Sequence, residues 1–233
     1  AAVELLRVGE VVAVKGLGGF HLAVDATNEQ AVARLRERKQ RVGKPFAIMA
    51  RDFESVHQFA EVDSAAGALL QSPERPIVLV PKRQPNPIAE SVAPRIHDLG
   101  VFLPYTPLHH LLFAGADFLA LVMTSGNMSE EPIAIENQEA VRRLPGLADF
   151  FLVHNRDILL RCDDSVVRPV SGRARQARRS RGYVPVPVFL REELPPVLAV
   201  GGELKNTICL IKGRHAFLSQ HIGDLENLES HRF

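Results

Sequence analysis

Short apolar runs alternating with helix-forming stretches restrict what this chain can fold into more than any other feature. The segment VVAVKGLGGFHLAVDA at 11–26 holds two strand-like runs broken by Gly16, Gly18 and Gly19. Thr27 and Gln30 then stand at capping-box spacing, and Ala31, Val32 and Leu35 follow at helical intervals, so a helix is expected from a Thr27 cap to about Lys39. The alternation continues. FAIMA at 46–50 and PIVLV at 76–80 read as buried strands, with helices opening at the good N-caps Asp52 and Asp63. NPIAESVAP at 86–94 reads as loop, and Thr106 with Pro107 supplies an N-cap and an N1 proline for LHHLLF. FLALVMT at 118–124 reads as a strand running into Ser125-Gly126-Asn127. A helix follows from about Asn137, then the strand FFLV, then short arginine-rich strands to Tyr183. Strands interleaved with helices in this way specify an α/β fold, a twisted mixed sheet with flanking helices.

The alternation stops at YVPVPVFLREELPP, residues 183–196, whose prolines cannot sustain a helix. Three units are therefore expected: an α/β domain over 1–184, an extended linker over 185–196, and a short partial segment over 197–233. That last segment, opening VLAVGGELKNTICLIKG, resembles the first hairpin of something larger and adds no independent core. An exposed strand edge there invites pairing between copies, so a tail-mediated homodimer is expected.

Bulk properties exclude several classes. No run approaches the roughly 18 apolar residues of a membrane span, and AAVELLRVGE lacks the basic flank and apolar core of a signal peptide. Two cysteines, Cys162 and Cys209, are too few and too far apart for a disulfide framework or a metal knuckle. The simplest compartment is the cytoplasm, with no membrane partner. The net charge of +1 hides two basic clusters. One runs from Arg34 to Arg51 and includes Arg38, Lys39, Arg41 and Lys44. The other comprises Arg168, Arg173, Arg175, Arg178, Arg179 and Arg181. Local cationic clusters in a near-neutral chain point to an anion site or to solvated faces.

Two stretches carry chemistry. In RKQRVGKP, residues 38–45, a helix ends beside a glycine turn and Lys39, Arg41 and Lys44 stay close in sequence. Lys as a point charge and Arg as a planar fork suit a polyphosphate, while a basic helix end favoured by the macrodipole gives the same pattern. In TSGNMSEEP, residues 124–132, small hydroxyls, an amide and a glycine follow a buried strand. That composition fits a ligand loop at a strand end, or a polar turn that caps the next element.

Together these stretches resemble the K-x-R…K-P and S-x-N signatures of the YrdC family, which includes the threonylcarbamoyl-adenylate synthases of tRNA modification. Residues 11 to about 184 line up in order, with Asp164-Ser165-Val166-Val167 resembling a late serine-bearing strand and Arg179 and Arg181 falling near a closing arginine. KGLGGFHLAVDATN, LPYTPLHHLLF, TSGNMSEEPIAI, HNRDILLRCDDSVVR and RRSRGYVP narrow the resemblance to the hydrogenase-maturation carbamoyltransferases of the HypF family. So do GGELKNTICL and LSQHIGDLEN, which resemble the start of that family's ATP-fold C-terminal domain. The family's acylphosphatase domain and cysteine zinc motifs are not in this sequence, so it is expected to be part of a longer enzyme.

The resemblance implies an activity. Carbamate attacks the α-phosphate of ATP, accompanied by Mg2+, to give carbamoyl-adenylate, and the carbamoyl group then passes to the C-terminal cysteine of a HypE-type maturation protein. The rest of the full-length chain is the other implied partner. Lys39, Arg41, Ser125 and Asn127 are the implied catalytic residues. Lys39, Arg41, Lys44, Thr124, Ser125, Asn127, Ser165, Arg179 and Arg181 are the implied nucleotide-binding set, with Lys39 and Arg41 gripping phosphates and Ser165, Arg179 and Arg181 closing the site. No protein-bound metal is implied. His109 and His110 read as packing residues, Cys162 as a buried inert thiol, and His21 as a candidate pocket lining. Two alternatives stand beside this reading. One is a threonylcarbamoyl-adenylate synthase, which the GGELKNTICL tail disfavours. The other is a double-stranded RNA-binding module, disfavoured by the absence of Trp and the presence of only Tyr105 and Tyr183 for stacking.

Overall fold

A computed structural model describes residues 1–128 and 131–225. Strands β1 (Val12–Lys15) and β2 (Phe20–Asp25) form an antiparallel hairpin around the glycine turn. Helix α1 (Ala2–Arg7) precedes it and α2 (Glu29–Arg38) follows. Strand β3 (Ala47–Ala50), helices α3 (Phe53–Val56) and α4 (Ser64–Gln71) and strands β4 (Ile77–Pro81) and β5 (Asp98–Phe102) come next. After them run α5 (Pro107–Phe113), β6 (Ala120–Ser125), α6 (Asn137–Arg143), β7 (Phe150–Leu152), β8 (Val166–Val170) and β9 (Arg173–Arg178).

Nine of these strands make one mixed sheet in the order β7-β1-β2-β6-β3-β5-β4-β8-β9. β1–β7, β3–β5 and β4–β8 are parallel pairs, and the remaining neighbours are antiparallel. Side-chain alternation divides the core between the two faces. Phe20, Leu22, Val24, Ile48 and Val122 turn toward Ala31, Val32 and Leu35 of α2 and Leu70 of α4. Ala23, Met49, Leu121 and Met123 turn toward Leu6 of α1 and Leu112 and Phe113 of α5. Fully burying one such residue, Leu35 for example, stabilises the fold by about 1.5–3 kcal/mol.

Asp52, Asp63 and Thr106 cap α3, α4 and α5, each side chain accepting from the backbone N–H three residues on. The cap of α2 differs from expectation. Asn28 accepts from Ala31 N, while Thr27 is held outside the helix by two hydrogen bonds to Asp25 Oδ1. A short Asx-type turn thus competes for Thr27 and moves the cap one residue on.

The stretch expected as a linker is largely strand. β10 (Val188–Val200) pairs antiparallel with β11 (Ile208–Leu218), with register irregularities around Leu194 beside Pro195 and Pro196. Of the described residues beyond 196, only Asn206 and Ala216 are buried, while Leu198 and Val200 are largely exposed. This hairpin's apolar side chains are therefore not gathered into a core of their own. The stretch 226–233, including Glu226 and Asn227 of the LSQHIGDLEN segment, lies outside the described residues.

Candidate functional site

The C-terminus of α2 and the end of β6 meet at one corner of the sheet. Gln40 adopts φ 51°, and this left-handed residue turns the chain out of the helix so that Arg41, Lys44 and Pro45 double back toward β6. Phe46 then anchors the turn in the core, with the guanidinium groups of Arg36 and Arg41 lying over its ring at 4.6 and 5.0 Å. At the β6 end, Gly126 N donates to Phe20 O at 2.6 Å, and a Cβ at Gly126 would lie 2.8 Å from that same oxygen. Only glycine allows this approach, which folds Ser125–Asn127 back over the end of β2.

Lys39 joins the two stretches. Its ammonium donates to Ser125 O at 2.7 Å, Asn127 O at 2.6 Å and Asn127 Oδ1 at 3.2 Å, and the residue is 1% exposed. Ser125 Oγ donates to Asn127 Oδ1 at 2.7 Å, and Asn127 Nδ2 donates to Glu131 O. Lys39 therefore acts on the loop from beneath, and its three N–H groups do not point into open cleft. Arg41 lies nearer the surface, donating to Thr124 Oγ1 at 3.2 Å, Lys44 O at 3.0 Å and Pro45 O at 2.8 Å. The sequence-based group Lys39, Arg41, Lys44, Thr124, Ser125 and Asn127 is thus assembled in one place.

The electrostatics of this group are unbalanced. Burial, reinforced by Arg41 and Lys44, lowers Lys39 to about 7 although its oxygen contacts and Glu131 favour the charge. Burial with Arg36 and Arg178 lowers Arg41 to about 10. Desolvation, then Arg41, Arg178 and Lys205, also lowers Lys44, against the pull of Asp163. Among the described residues neither Arg41 nor Lys44 forms an ion pair with a carboxylate. Such a concentration of cations is relieved by a polyanion.

The second basic cluster divides three ways. Arg178 belongs to this site, a residue the sequence reading left out of its set. It lies close enough to act on Arg41 and Lys44, with Nη1 3.4 Å from Asp164 O and 4.0 Å from Asp163 Oδ2. Arg173 and Arg175 are exposed, and Arg168 pairs with Asp98. Arg181 is committed elsewhere. Its guanidinium donates to Asp164 Oδ1 at 2.6 Å and to the carbonyls of Glu74 and Arg75, and it stacks 3.5 Å over the Tyr105 ring.

Ser165 and Arg179, the other residues expected to close the site, are likewise held by protein contacts. Ser165 is fully buried, donates to Arg181 O and accepts from Ser180 N, while Arg179 donates to the carbonyls of Tyr183 and Val186. Contacts of Ser165, Arg179 and Arg181 therefore build the frame beside the cation group and do not reach into it.

Asp164 is the centre of that frame. One oxygen takes Arg181 and Tyr105 Oη, and the other accepts from His21 Nε2 at 3.2 Å. These partners hold its carboxyl well below the usual range despite burial. His21 is the register partner of Ser125, so the frame abuts the loop through the β2–β6 ladder. His109 is fully buried and edge-on to Tyr105 at 4.5 Å, in keeping with packing, and burial pushes it down to about 3. Cys162 sits 3.3 Å from Ser180 Oγ, and burial raises its thiol above the ordinary value, as expected for an inert residue. No group of three or more His, Cys, Asp or Glu side chains suited to a metal occurs among the described residues. None of their helices is long and apolar enough to cross a membrane.

The chain and its mixed-sheet fold match known proteins. The Sua5/YciO/YrdC family model, described as telomere recombination, matches residues 4–180, and the chain belongs to that family. Residues 192–233 match the model of the HypF Kae1-like domain. Carbamoyltransferase HypF2 of Cupriavidus necator is 50% identical over 97% of this chain, and carbamoyltransferase HypF of Rhizobium leguminosarum bv. viciae 47% over 98%. The chain spans 30% and 31% of those relatives' lengths. A full-length HypF in a phosphate- and nucleotide-bound form superposes with TM-score 0.94 at 50% identity, over 99% of this chain and 36% of that one. Sua5 of P. abyssi complexed with L-threonine shares the fold at TM-score 0.68 and 19% identity, over 80% of this chain and 54% of that one.

Proposed function

We propose that this chain is the adenylate-forming part of a HypF-type carbamoyltransferase. ATP, with Mg2+, binds across Arg41, Lys44 and Arg178, and Lys39 fixes the loop that orients the α-phosphate. A carbamate oxygen attacks the α-phosphorus and the bond to the bridging oxygen breaks. The products are carbamoyl-adenylate and pyrophosphate. Phosphoryl and nucleotidyl transfer need positioning and charge neutralisation more than covalent help, which suits a site rich in cations and poor in nucleophiles. The carbamoyl group then passes, through the remainder of the longer enzyme, to a cysteine of a HypE-type partner.

One observation carries this reading: Lys39 holds the Ser125–Asn127 loop through three oxygens while Arg41 and Lys44 crowd beside it, each cation lowered by burial and by its cationic neighbours. The similarity to a HypF solved with phosphate and nucleotide supports it. The division of labour, with residues 1–184 adenylating and 197–233 beginning the transfer unit, is part of the same proposal. The test is exchange of labelled pyrophosphate into ATP. Exchange that depends on carbamate and ignores L-threonine is expected. Dependence on L-threonine would move the chain to the tRNA-modification reaction, and absence of ATP binding in calorimetry would end the nucleotide reading.

A further inference from the structure

Behind the nucleotide loop lies an ion network that the proposed chemistry does not use. Glu131, Pro132 and Ile133 form the return limb of the loop, and each carbonyl there is held by a different side chain. Glu131 O accepts from Asn127 Nδ2, Pro132 O from Arg143 Nη2 at 2.8 Å, and Ile133 O from Arg161 Nε at 2.9 Å. The limb ends where Ala134 N donates to Gly126 O at 3.0 Å and Ala134 O accepts from Phe20 N at 2.8 Å.

Arg143 and Arg161 are not independent of each other. Glu139 Oε1 accepts from Arg143 Nη1 and, at 3.1 Å, from Arg161 Nη2. Its other oxygen accepts from Ile135 N at 2.9 Å and Glu136 N at 3.3 Å, closing the capping box of α6. Arg143 Nη2 also meets Glu131 Oε2 at 2.9 Å. These partners lower the Glu139 carboxyl against the opposing effect of burial.

We propose that Arg143 and Arg161, joined through Glu139, are positioning residues that set the geometry of the Ser125–Asn127 loop. The function of that loop rests on the nucleotide reading, but its restraint by the network does not. Two features separate this role from general stabilisation. First, α6 is attached to the core by Ala140 and, just beyond it, Leu144, apolar contacts that survive loss of the arginines. Second, the backbone carbonyls that the two guanidiniums hold among the described residues, Pro132 O and Ile133 O, both lie in the loop's return limb. A planar fork that reaches two carboxylates and a carbonyl is also not replaced by a single ammonium.

The experiment compares wild type with Arg143→Ala, Arg143→Lys and Glu139→Gln by amide hydrogen exchange, with no nucleotide present. Exchange over residues 125–128 and 131–135 is expected to accelerate at least tenfold, with β1–β3 unchanged and the melting temperature nearly so. In pyrophosphate exchange, kcat is expected to fall ten- to a hundredfold while the ATP dissociation constant moves less than threefold. Arg143→Lys should stay impaired, and millimolar guanidinium should restore part of the Arg143→Ala rate. Unchanged loop protection in both Arg143→Ala and Glu139→Gln would overturn the proposal, as would protection lost equally across the sheet. A wild-type chain that binds no ATP would remove the nucleotide reading alone, since the protection result still decides the clamp.

Discussion

Nucleotide affinity should depend on pH through Lys39. In the free protein this ammonium lies near about 7, because burial and two neighbouring cations outweigh its oxygen contacts. A phosphate charge placed at about 6 Å, with an effective dielectric constant of about 20, would favour the ammonium by roughly 3 kcal/mol. The bound form would then keep its proton to higher pH than the free form. Since binding favours the protonated state, affinity must fall as pH rises. Taking both states together, the loss between pH 7.5 and 9 is about tenfold, with uptake of about 0.8 proton on binding near pH 8. Phosphate's own second ionisation, near about 6, is essentially complete by then. Calorimetry in buffers of different ionisation enthalpy reads both quantities, and Lys39→Met should abolish both. Equal affinity at pH 7.5 and 9 with no buffer dependence would refute the argument, because it would mean that the Lys39 charge is not coupled to the ligand through the loop.

Three further outcomes follow from particular contacts. Arg41→Ala and Arg178→Ala should each weaken ATP binding by about 1.5–3 kcal/mol, the range for a charge-assisted hydrogen bond, as read by calorimetry. Arg181→Ala is not expected to behave as a simple ligand deletion, since it strips Asp164 of its partner. Asp164→Asn should therefore destabilise the protein by about 3–5 kcal/mol, the usual result of breaking a buried ion pair. His109→Phe should leave the melting temperature unchanged or raise it, because neither buried ring nitrogen of His109 has a hydrogen-bond partner among the described residues.

Much of this architecture is legible in the chain, and the failures have physical causes. Thr106-Pro107 announces α5 because cap and N1 proline are local signals, satisfied by residues a few positions away. Strand β5 is not announced. Gly100 interrupts its apolar run, and the reason for a glycine there is a neighbour: a Cβ would lie 2.9 Å from Ile77 Cγ2 on the adjacent strand. Helix α1 lacks a side-chain cap and so gives no start signal. The prolines of 183–196 correctly exclude a helix but do not exclude a strand that accommodates them at irregularities of register. Within the candidate site, the helix-end cations and the S-x-N loop are visible because each is contiguous. Arg178 is not, because arginines recur through 173–181 and only the strand pairing, Val166 with Arg178, decides which one turns toward Arg41. Asp164 is hidden for the same reason, since its partners His21, Tyr105 and Arg181 come from three distant parts of the chain.

The location of the cation group also explains its composition. Many phosphate sites use a helix N-terminus, where free backbone N–H groups and the positive end of the macrodipole attract the anion. Here the helix that reaches the corner, α2, presents its C-terminus, whose dipole repels an anion and favours cations. The loop opposite has few amides to offer, because Gly126 N is spent on Phe20 O and Asn127 N on Ser125 O. On the proposed reading, side-chain charge must then supply the attraction that backbone amides supply elsewhere, and Arg41, Lys44 and Arg178 would supply it, with Lys39 behind the loop. A site built this way holds its cations close together at some cost in their own basicity, so a polyanion that relieves the repulsion shifts their protonation as it binds. On the proposed reading, the expected pH dependence of binding follows from which end of α2 faces the ligand.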